Sequence, residues 1–291
     1  MPKIVNVIQG TESWHELRSN HLGASCAGII MGCDPYRSQN MLWLEMIGIG
    51  EKQKEHPGML RGKALEPIAL ELYNEEKSLT FAPMVLQSDK ESFMICSLDG
   101  ITKDLKNACE VKCLSLETHN KQEILPQHYA QMQHQLFVCE LDEMDYVSYH
   151  PNATDVKPLY TLKVKRDEAF LADYIPKAKA FWDCVQTFTS PPLIAKDYRD
   201  FTNNAEYAAL DAAYIDIDEK LKGLEKQKEE IRKLMQEMSE GNNVIGPYTK
   251  MTHYPIQGKI DYKKAVIENL PEISLEPYRG KPSKAIRITK V

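Results

Sequence analysis

Between Ser97 and Cys113 the chain reads Ser97-Leu98-Asp99-Gly100-Ile101, then a polar connection from Thr102 to Asn107, then Cys109-Glu110-Val111-Lys112-Cys113. Apolar flanks at Phe93–Cys96 and Ala108–Cys109, with a connection of hairpin length, predict two antiparallel strands that hold Asp99 and Glu110 side by side. Successive side chains of a strand point to opposite faces, so Glu110 and Lys112 share one face while Val111 points into the core. Two carboxylates and an ammonium then converge on one spot. No other stretch of the sequence constrains the fold as tightly.

A hard divalent cation such as Mg²⁺ takes oxygen ligands in an octahedron and keeps several waters. Asp99, Glu110 and the main-chain carbonyl of Val111 can supply three positions, leaving room for a phosphate and a water. Lys112 would orient or help deprotonate that water, while the metal lowers its pKa and screens the phosphate charge. A hairpin with Asp, Glu and Lys on its solvent face is also common, so the remaining sequence has to decide.

At 291 residues the chain can bury a full core and carry an appendage. No apolar run approaches the roughly 20 residues that cross a bilayer. The start, Met1-Pro2-Lys3-Ile4-Val5, is too polar for a signal peptide, which predicts a cytoplasmic protein. Seven cysteines without C-x-x-C spacing argue for reduced thiols, with Cys109 and Cys113 as small packing residues. No cysteine follows Cys184, so no late cysteine group is there to hold an iron–sulfur cluster. The net charge of −6 is uneven: residues 246–291 hold nine Lys/Arg against four acids, a basic end suited to phosphate or an acidic partner.

Along the chain, Ser13 and Glu16 read as a capping box opening a short helix through Arg18. Ser25 reads as the N-cap of an apolar helix Cys26–Met31, whose unpaired N–H groups would form an anion site that Arg18 could complete. Helices are expected over Met41–Gly48 and Met59–Tyr73, separated by a polar loop at Glu51–Glu55. Glu66, Leu70 and Tyr73 share a face of the second, and a glutamate on that stripe needs a cation or an arginine as partner. Strands are predicted over Thr80–Gln87, Phe93–Leu98, Asp145–His150 and Leu159–Arg166, and helices from Pro126 to Val138 and from Asp167 to Phe188. On the Pro126 helix His128, Gln131 and Gln135 line one stripe, the glutamines suited to holding a water or phosphate.

Pro191-Pro192 is the predicted domain boundary. Beyond it Tyr207, Leu210, Tyr214, Ile217, Leu221, Leu224, Ile231, Met235 and Met238 follow alternating steps of three and four, broken by Lys228 alone. Such a heptad seam predicts a long helix that packs on a partner or on its own domain. A strand over Val244–Tyr254, a turn at Ile256–Ile260, a helix over Tyr262–Asn269 and a basic strand Ala285–Thr289 complete the reading. The domain expectation is residues 1–195 as a core, 196–245 as the heptad helix and 246–291 as a small basic segment.

Asp, a gap, then Glu-x-Lys resembles the PD-(D/E)xK nucleases. The order of the pieces narrows this. Trp14-x-x-x-Arg18, Gly23-Ala24-Ser25, Arg61-Gly62-x-x-x-Glu66, Ser97-x-Asp99-Gly100, Glu110-Val111-Lys112-Cys113 and Ala130-Gln131-x-Gln133 are similar, in the same order, to the YqaJ-like viral recombinase family of phage lambda-type exonucleases. The resemblance spans about residues 9–185. It implies an α/β fold: a PD-(D/E)xK core with a central mixed β-sheet flanked by helices, here followed by a helical and small α+β extension. It implies Mg²⁺, or Mn²⁺ in its place, held by Asp99, Glu110 and the Val111 carbonyl with Glu66 near a second metal. Lys112 would activate water beside Gln131, and Arg18 and Ser25 would hold a terminal 5′-phosphate. His128 stands where a relative has tyrosine, and no role is assigned to it. The implied activity is 5′→3′ digestion of linear double-stranded DNA, leaving 3′ single strands for a single-strand annealing protein, in a homo-oligomer such as the ring-shaped trimers of relatives. The alternatives are a structure-specific or restriction-type endonuclease, a RecB-like or Cas4-like end-processing nuclease, and a non-catalytic DNA-binding protein.

Overall fold

The structure is a computed structural model that describes residues 1–50, 57–256, 258 and 266. These divide into two units, Met1–Tyr198 and a second that begins at Arg199.

In the first unit the strands are β1 (Lys3–Val5), β2 (Leu22–Gly23), β3 (Phe81–Gln87), β4 (Met94–Thr102), β5 (Ala108–Lys112), β6 (Glu143–Tyr149) and β7 (Leu159–Lys165). They form one mixed sheet in the order β1-β3-β4-β5-β6-β7, with β2 parallel to the start of β4. The only other parallel pair in the sheet is β5 with β6. The helices are α1 (Glu12–Ser19), α2 (Ala27–Ile30), α3 (Gln39–Met46), α4 (Pro57–Lys77), α5 (Leu116–Asn120), α6 (Pro126–Cys139) and α7 (Glu168–Thr187).

The sheet has a core on each face. On one, Ile29 and Ile30 of α2, Met132 and Leu136 of α6 and Phe181 of α7 pack with Leu86, Met94 and Leu98. On the other, Ala69 and Tyr73 of α4 pack with Phe81, Cys109, Val111 and Val147. Alternation along β5 thus sends Cys109 and Val111 to the α4 face, as the period of two requires. Gly100 is where this layer is tightest: a Cβ there would lie 2.7 Å from Cys109 Sγ and 2.9 Å from Leu70 Cδ1. Gly28 lets α2 approach α6 in the same way, since a Cβ would lie 2.8 Å from Gln127 Cβ.

Helix α6 is buried on nearly every side from Ala130 to Cys139, so its polar residues need internal partners. Gln133 donates to the Lys165 carbonyl at 2.8 Å and accepts from the Asp167 N–H at 2.8 Å. His134 spans two elements, Nε2 to the Ile95 carbonyl at 2.9 Å and Nδ1 to the Tyr174 hydroxyl at 2.6 Å. A carbonyl only accepts, so Nε2 carries the proton and Tyr174 donates to Nδ1. Burial pushes the His134 pKa down to about 4.

Two predicted caps are corrected. Helix α1 starts at Glu12 after Thr11, so Ser13 lies inside the first turn, and Thr11 Oγ1 donates to the Ile8 carbonyl instead of capping. Ser25 caps nothing: it sits within a 3₁₀ turn, Ala24–Cys26, and α2 begins only at Ala27. The caps of α3 and α7 are Ser38 and Asp167, which accept from Met41 N and Phe170 N. All seven cysteines are free thiols.

The second unit contains α8 (Ala205–Ser239), capped by Asn204, and a short hairpin of β8 (Val244–Ile245) and β9 (Lys250–Met251). The strand expected over Val244–Tyr254 is therefore two two-residue strands joined by a turn. The loop at Glu51–Glu55, most of the Ile256–Ile260 turn, all of the Tyr262–Asn269 helix but Val266, and the Ala285–Thr289 strand lie outside the described residues. No helix among the described residues is long and apolar enough to cross a membrane.

Candidate active site

Antiparallel pairing of Gly100 with Cys109 and Ile101 with Ala108 carries Asp99 alongside Glu110 at the next step of the ladder. There the backbone bonding stops. The N–H of Val111 turns to the Asp99 side chain and donates to Oδ2 at 2.8 Å, so the strands part where the carboxylates begin.

Glu110 is buried and both of its oxygens are in use. Oε1 accepts from Lys112 Nζ at 2.5 Å and from Gln131 Nε2 at 2.5 Å, and Oε2 accepts from Gln135 Nε2 at 2.5 Å. Helix α6 supplies both amides because residues 131 and 135 are one turn apart on the face toward the hairpin. Asp99, Lys112 and Gln131 are each partly exposed, so the cluster opens to solvent on one side.

Glu66 joins it from α4. Burial raises its pKa above the ordinary carboxylate range, and the charge of Glu110 adds to the rise against the opposing pull of Lys112. Asp99 is pushed well above that range by burial and then by Glu110, with Lys112 again opposing. Burial works against the charge on Lys112, yet Glu110 and Asp99 together hold its pKa above the usual lysine value. Three carboxylates thus face one ammonium, a local excess of negative charge inside a poorly hydrated edge.

That excess and the all-oxygen donor set fit a hard divalent cation. No trio of His, Cys, Asp or Glu side chains among the described residues forms a ready-made ligand cage. The donors that fit are the Asp99 and Glu110 carboxylates with the Val111 carbonyl, and Glu66 stands within electrostatic reach. Lys112 and the glutamines now satisfy the Glu110 oxygens that such an ion would share.

Along the edge of β4 that β2 and β5 both pair with, Arg18 donates to Ser25 Oγ at 2.9 Å and lies over the Trp14 ring at 4.6 Å. Trp14 Nε1 in turn donates to Ser97 Oγ at 2.9 Å. A small cleft of about 30 Å³ is lined by Arg18, Ser25, Ser97 and Gln131, which joins this pair to the acidic cluster. A larger cavity of about 320 Å³ opens beside it, lined among others by His15, Arg18, Ser25 and Arg37.

Residues 13–142 match the family model described as the YqaJ-like viral recombinase domain. The chain carries a YqaJ-like viral recombinase domain. Its fold is similar to that of an alkaline exonuclease from Laribacter hongkongensis, with a TM-score of 0.55 at 23% identity over 70% of this chain and all of that one. The same enzyme in complex with dAMP matches with a TM-score of 0.54 at 23% identity, again over 70% of this chain and all of that one. An uncharacterised protein of Acanthamoeba polyphaga mimivirus is 26% identical over 162 residues, half of this chain and 30% of that protein. The chain thus spans about a third of the length of that curated relative.

Within the YqaJ-like domain the structure brings Glu66, Asp99, Glu110, Lys112 and Gln131 into one cluster and sets Arg18 and Ser25 in a pair beside it. His128 is adjacent, its Nδ1 3.2 Å from the Tyr146 hydroxyl, and burial followed by the charge of Lys112 drives its pKa down to about 3. Two contributors act otherwise than the sequence alone suggests. Gln135 holds the second Glu110 oxygen; its place on the His128–Gln131 stripe was the available signal. Trp14 stacks on Arg18, a contact that the four-residue spacing on α1 allows.

Proposed function

We propose that the YqaJ-like domain is a divalent-metal-dependent deoxyribonuclease that degrades one strand of linear double-stranded DNA in the 5′→3′ direction. The observation that carries the reading is the juxtaposition of the Glu66/Asp99/Glu110/Lys112 cluster and the Arg18–Ser25 pair, joined through one small cleft at Gln131.

Asp99, Glu110 and the Val111 carbonyl would hold Mg²⁺ or Mn²⁺, with Glu66 toward a second ion. When bound, the metal makes water a stronger nucleophile at neutral pH and offsets the charge of the scissile phosphate. Lys112 is an N–H donor in its pairing with Glu110, which suits it to orienting the attacking water and to stabilising the charge that develops on phosphorus-bound oxygen. Gln131 sits between this lysine and the cleft and positions water without adding charge. Arg18 is planar, permanently charged and pre-oriented by Trp14, and with the Ser25 hydroxyl it would hold a terminal 5′-phosphate. Contacts of this kind read backbone charge and no base sequence.

The product would be a duplex with a 3′ single strand, taken up in the cytoplasm by a single-strand annealing protein. The family resemblance further favours a homo-oligomer, a ring-shaped trimer among relatives, that stays on its substrate.

Linear duplex labelled at either end, with and without 5′-phosphate, is digested beside nicked and closed circles in Mg²⁺ or EDTA. The expected result is Mg²⁺-dependent release from phosphorylated 5′ ends with closed circles intact. Cutting of closed circles would transfer the assignment to an endonuclease on the same site, and DNA binding without hydrolysis in Mg²⁺ or Mn²⁺ would leave a binding protein.

A further inference from the structure

Helix α8 carries an apolar seam that the other described residues of its own unit leave open along most of its length. Its nine seam side chains are all exposed, from 39% for Met235 to 85% for Met238. The β8–β9 hairpin touches only the far end, where Met235, Met238 and Met251 line one shallow hollow. A 35-residue helix is long enough to persist on its own, and packing its one apolar stripe adds to its stability.

We infer that the seam binds the same seam of a second copy of this chain, and that the two helices run antiparallel. Three observations select this occupant. The seam is long and strictly heptad, and no other stretch of the sequence repeats an apolar step of three and four over a comparable length. The helix is also electrically lopsided. From Ala205 to Glu219 it holds five acids and no base, and from Lys220 to Ser239 six bases and four acids. Antiparallel pairing lays the acidic half of each helix along the more basic half of the other, whereas parallel pairing aligns the acidic halves.

The third observation is Lys228, the one charged residue on the seam. In a parallel pair it would face itself across the apolar layer. In an antiparallel pair centred between Leu221 and Leu224 it meets Ile217 of the second copy, with Asp216 and Asp218 on either side. The same register sets Asp211 near Arg232 and Lys233 of the second copy. Lys220 and Lys222 already reach back to Asp216 and Asp218 within their own helix at 2.7 and 2.6 Å, so the outer charges decide the direction.

The test is the mass of the full chain by light scattering or sedimentation equilibrium over a range of concentrations. Leu221→Asp with Leu224→Asp should halve the mass of the assembly while helical circular dichroism is retained, because the substituted residues are exposed in the single chain. Lys228→Leu should shift dissociation to lower concentration. Tyr214→Cys alone should give no disulfide-linked dimer through position 214, and Tyr214→Cys with Ile231→Cys in one chain should give one, located by peptide mapping against the seven native thiols of residues 1–198. An unchanged mass in the Leu221/Leu224 variant overturns the pairing and leaves the seam to another occupant. A 214–214 disulfide overturns its direction.

Discussion

The β4–β5–α6 region and helix α8 are built from opposite surpluses. The first gathers Glu66, Asp99, Glu110 and Lys112 at an edge where two carboxylate pKa values are driven upward by burial. The second displays nine apolar side chains to solvent. Folding alone explains neither, since buried charge and exposed apolar surface both raise the free energy of the native state. In the proposed reading each is relieved by something added: in one place a cation and a phosphate, in the other a matching apolar stripe. Where a native chain retains an arrangement that its own fold disfavours, that arrangement is the place to look for a ligand.

The comparison breaks most visibly at Lys112. Lys112→Met should lower hydrolysis by roughly three orders of magnitude, the range for a positioned proton-handling group, while DNA binding persists in EDTA. It also removes the single ammonium from three acids, so Tm in EDTA should fall. Asp99→Asn should be equally inactive, yet should raise Tm in EDTA because it keeps an oxygen for the Val111 N–H and deletes one of the repelling charges. Mg²⁺ should then stabilise the parent chain and not the Asp99→Asn variant, as linkage requires of an ion that binds the folded state. A parent melting curve indifferent to Mg²⁺ and Mn²⁺ would remove the cation from the comparison.

The next largest effect separates the acidic edge from the core beneath it. His134 is buried and neutral, with its pKa near 4. Its folded pKa lies below the unfolded value of about 6.5, so the unfolded chain takes up a proton first and stability falls as pH drops from about 6.5 toward 4. The full cost is about 3 kcal/mol. Asp99 and Glu66 act in the opposite sense: their raised values mean that protonation on acidification relieves the folded state. His134→Gln should flatten the acid limb of unfolding free energy against pH, even where its stability at pH 7 is lower. An acid limb of the same slope in parent and variant would assign the loss to other groups.

How much of this was legible in the sequence follows from what each feature needs. The hairpin, α4 and α6 were readable because period-two and period-3.6 patterns both place polar side chains at fixed positions relative to an apolar face. Pro126 marked the start of α6 for the same local reason. The Ser25 cap was misread because hydroxyl partnership is not local: Ser25 Oγ is taken by the Arg18 guanidinium, seven residues away, and the backbone tightens into a 3₁₀ turn instead. Ser13 failed because the preceding Thr11 already occupies the N-cap position. Gln135 stands on the right stripe, but its meaning comes from bonding Glu110 together with Gln131 one turn before it, a contact across 25 residues. The Val244–Tyr254 strand came out short because apolar residues with no core beneath them gain little from further pairing.

Arg18 gives the third effect. It is the charged half of the Arg18–Ser25 pair, and a hydrogen bond to a charged group contributes about 1.5–3 kcal/mol, which is roughly a tenfold to hundredfold difference. Arg18→Ala should therefore cut the preference for 5′-phosphorylated over unphosphorylated duplex by that factor and leave the slower rate on unphosphorylated ends nearly unchanged. Equal losses on both substrates would return Arg18 to a packing role against Trp14.

The smallest effect is the most direct control, because α8 contains a near copy of the central contact of the site. Lys222 Nζ lies 2.6 Å from Asp218 and Lys112 Nζ lies 2.5 Å from Glu110, so geometry alone ranks them as equals. Their surroundings do not. Lys112 keeps 21% of its side-chain surface and Glu110 2%, whereas Lys222 keeps 65% and Asp218 32%. Water and salt screen the exposed pair, and two flexible side chains lose entropy in holding it. Lys222→Ala should leave Tm and nuclease rate unchanged within the error of a melting curve and a digestion assay, at 50 mM and at 500 mM salt alike. If it instead destabilises as Lys112→Met does, burial is not what distinguishes the two lysines, and the charge excess at Asp99 and Glu110 loses its claim to mark the site.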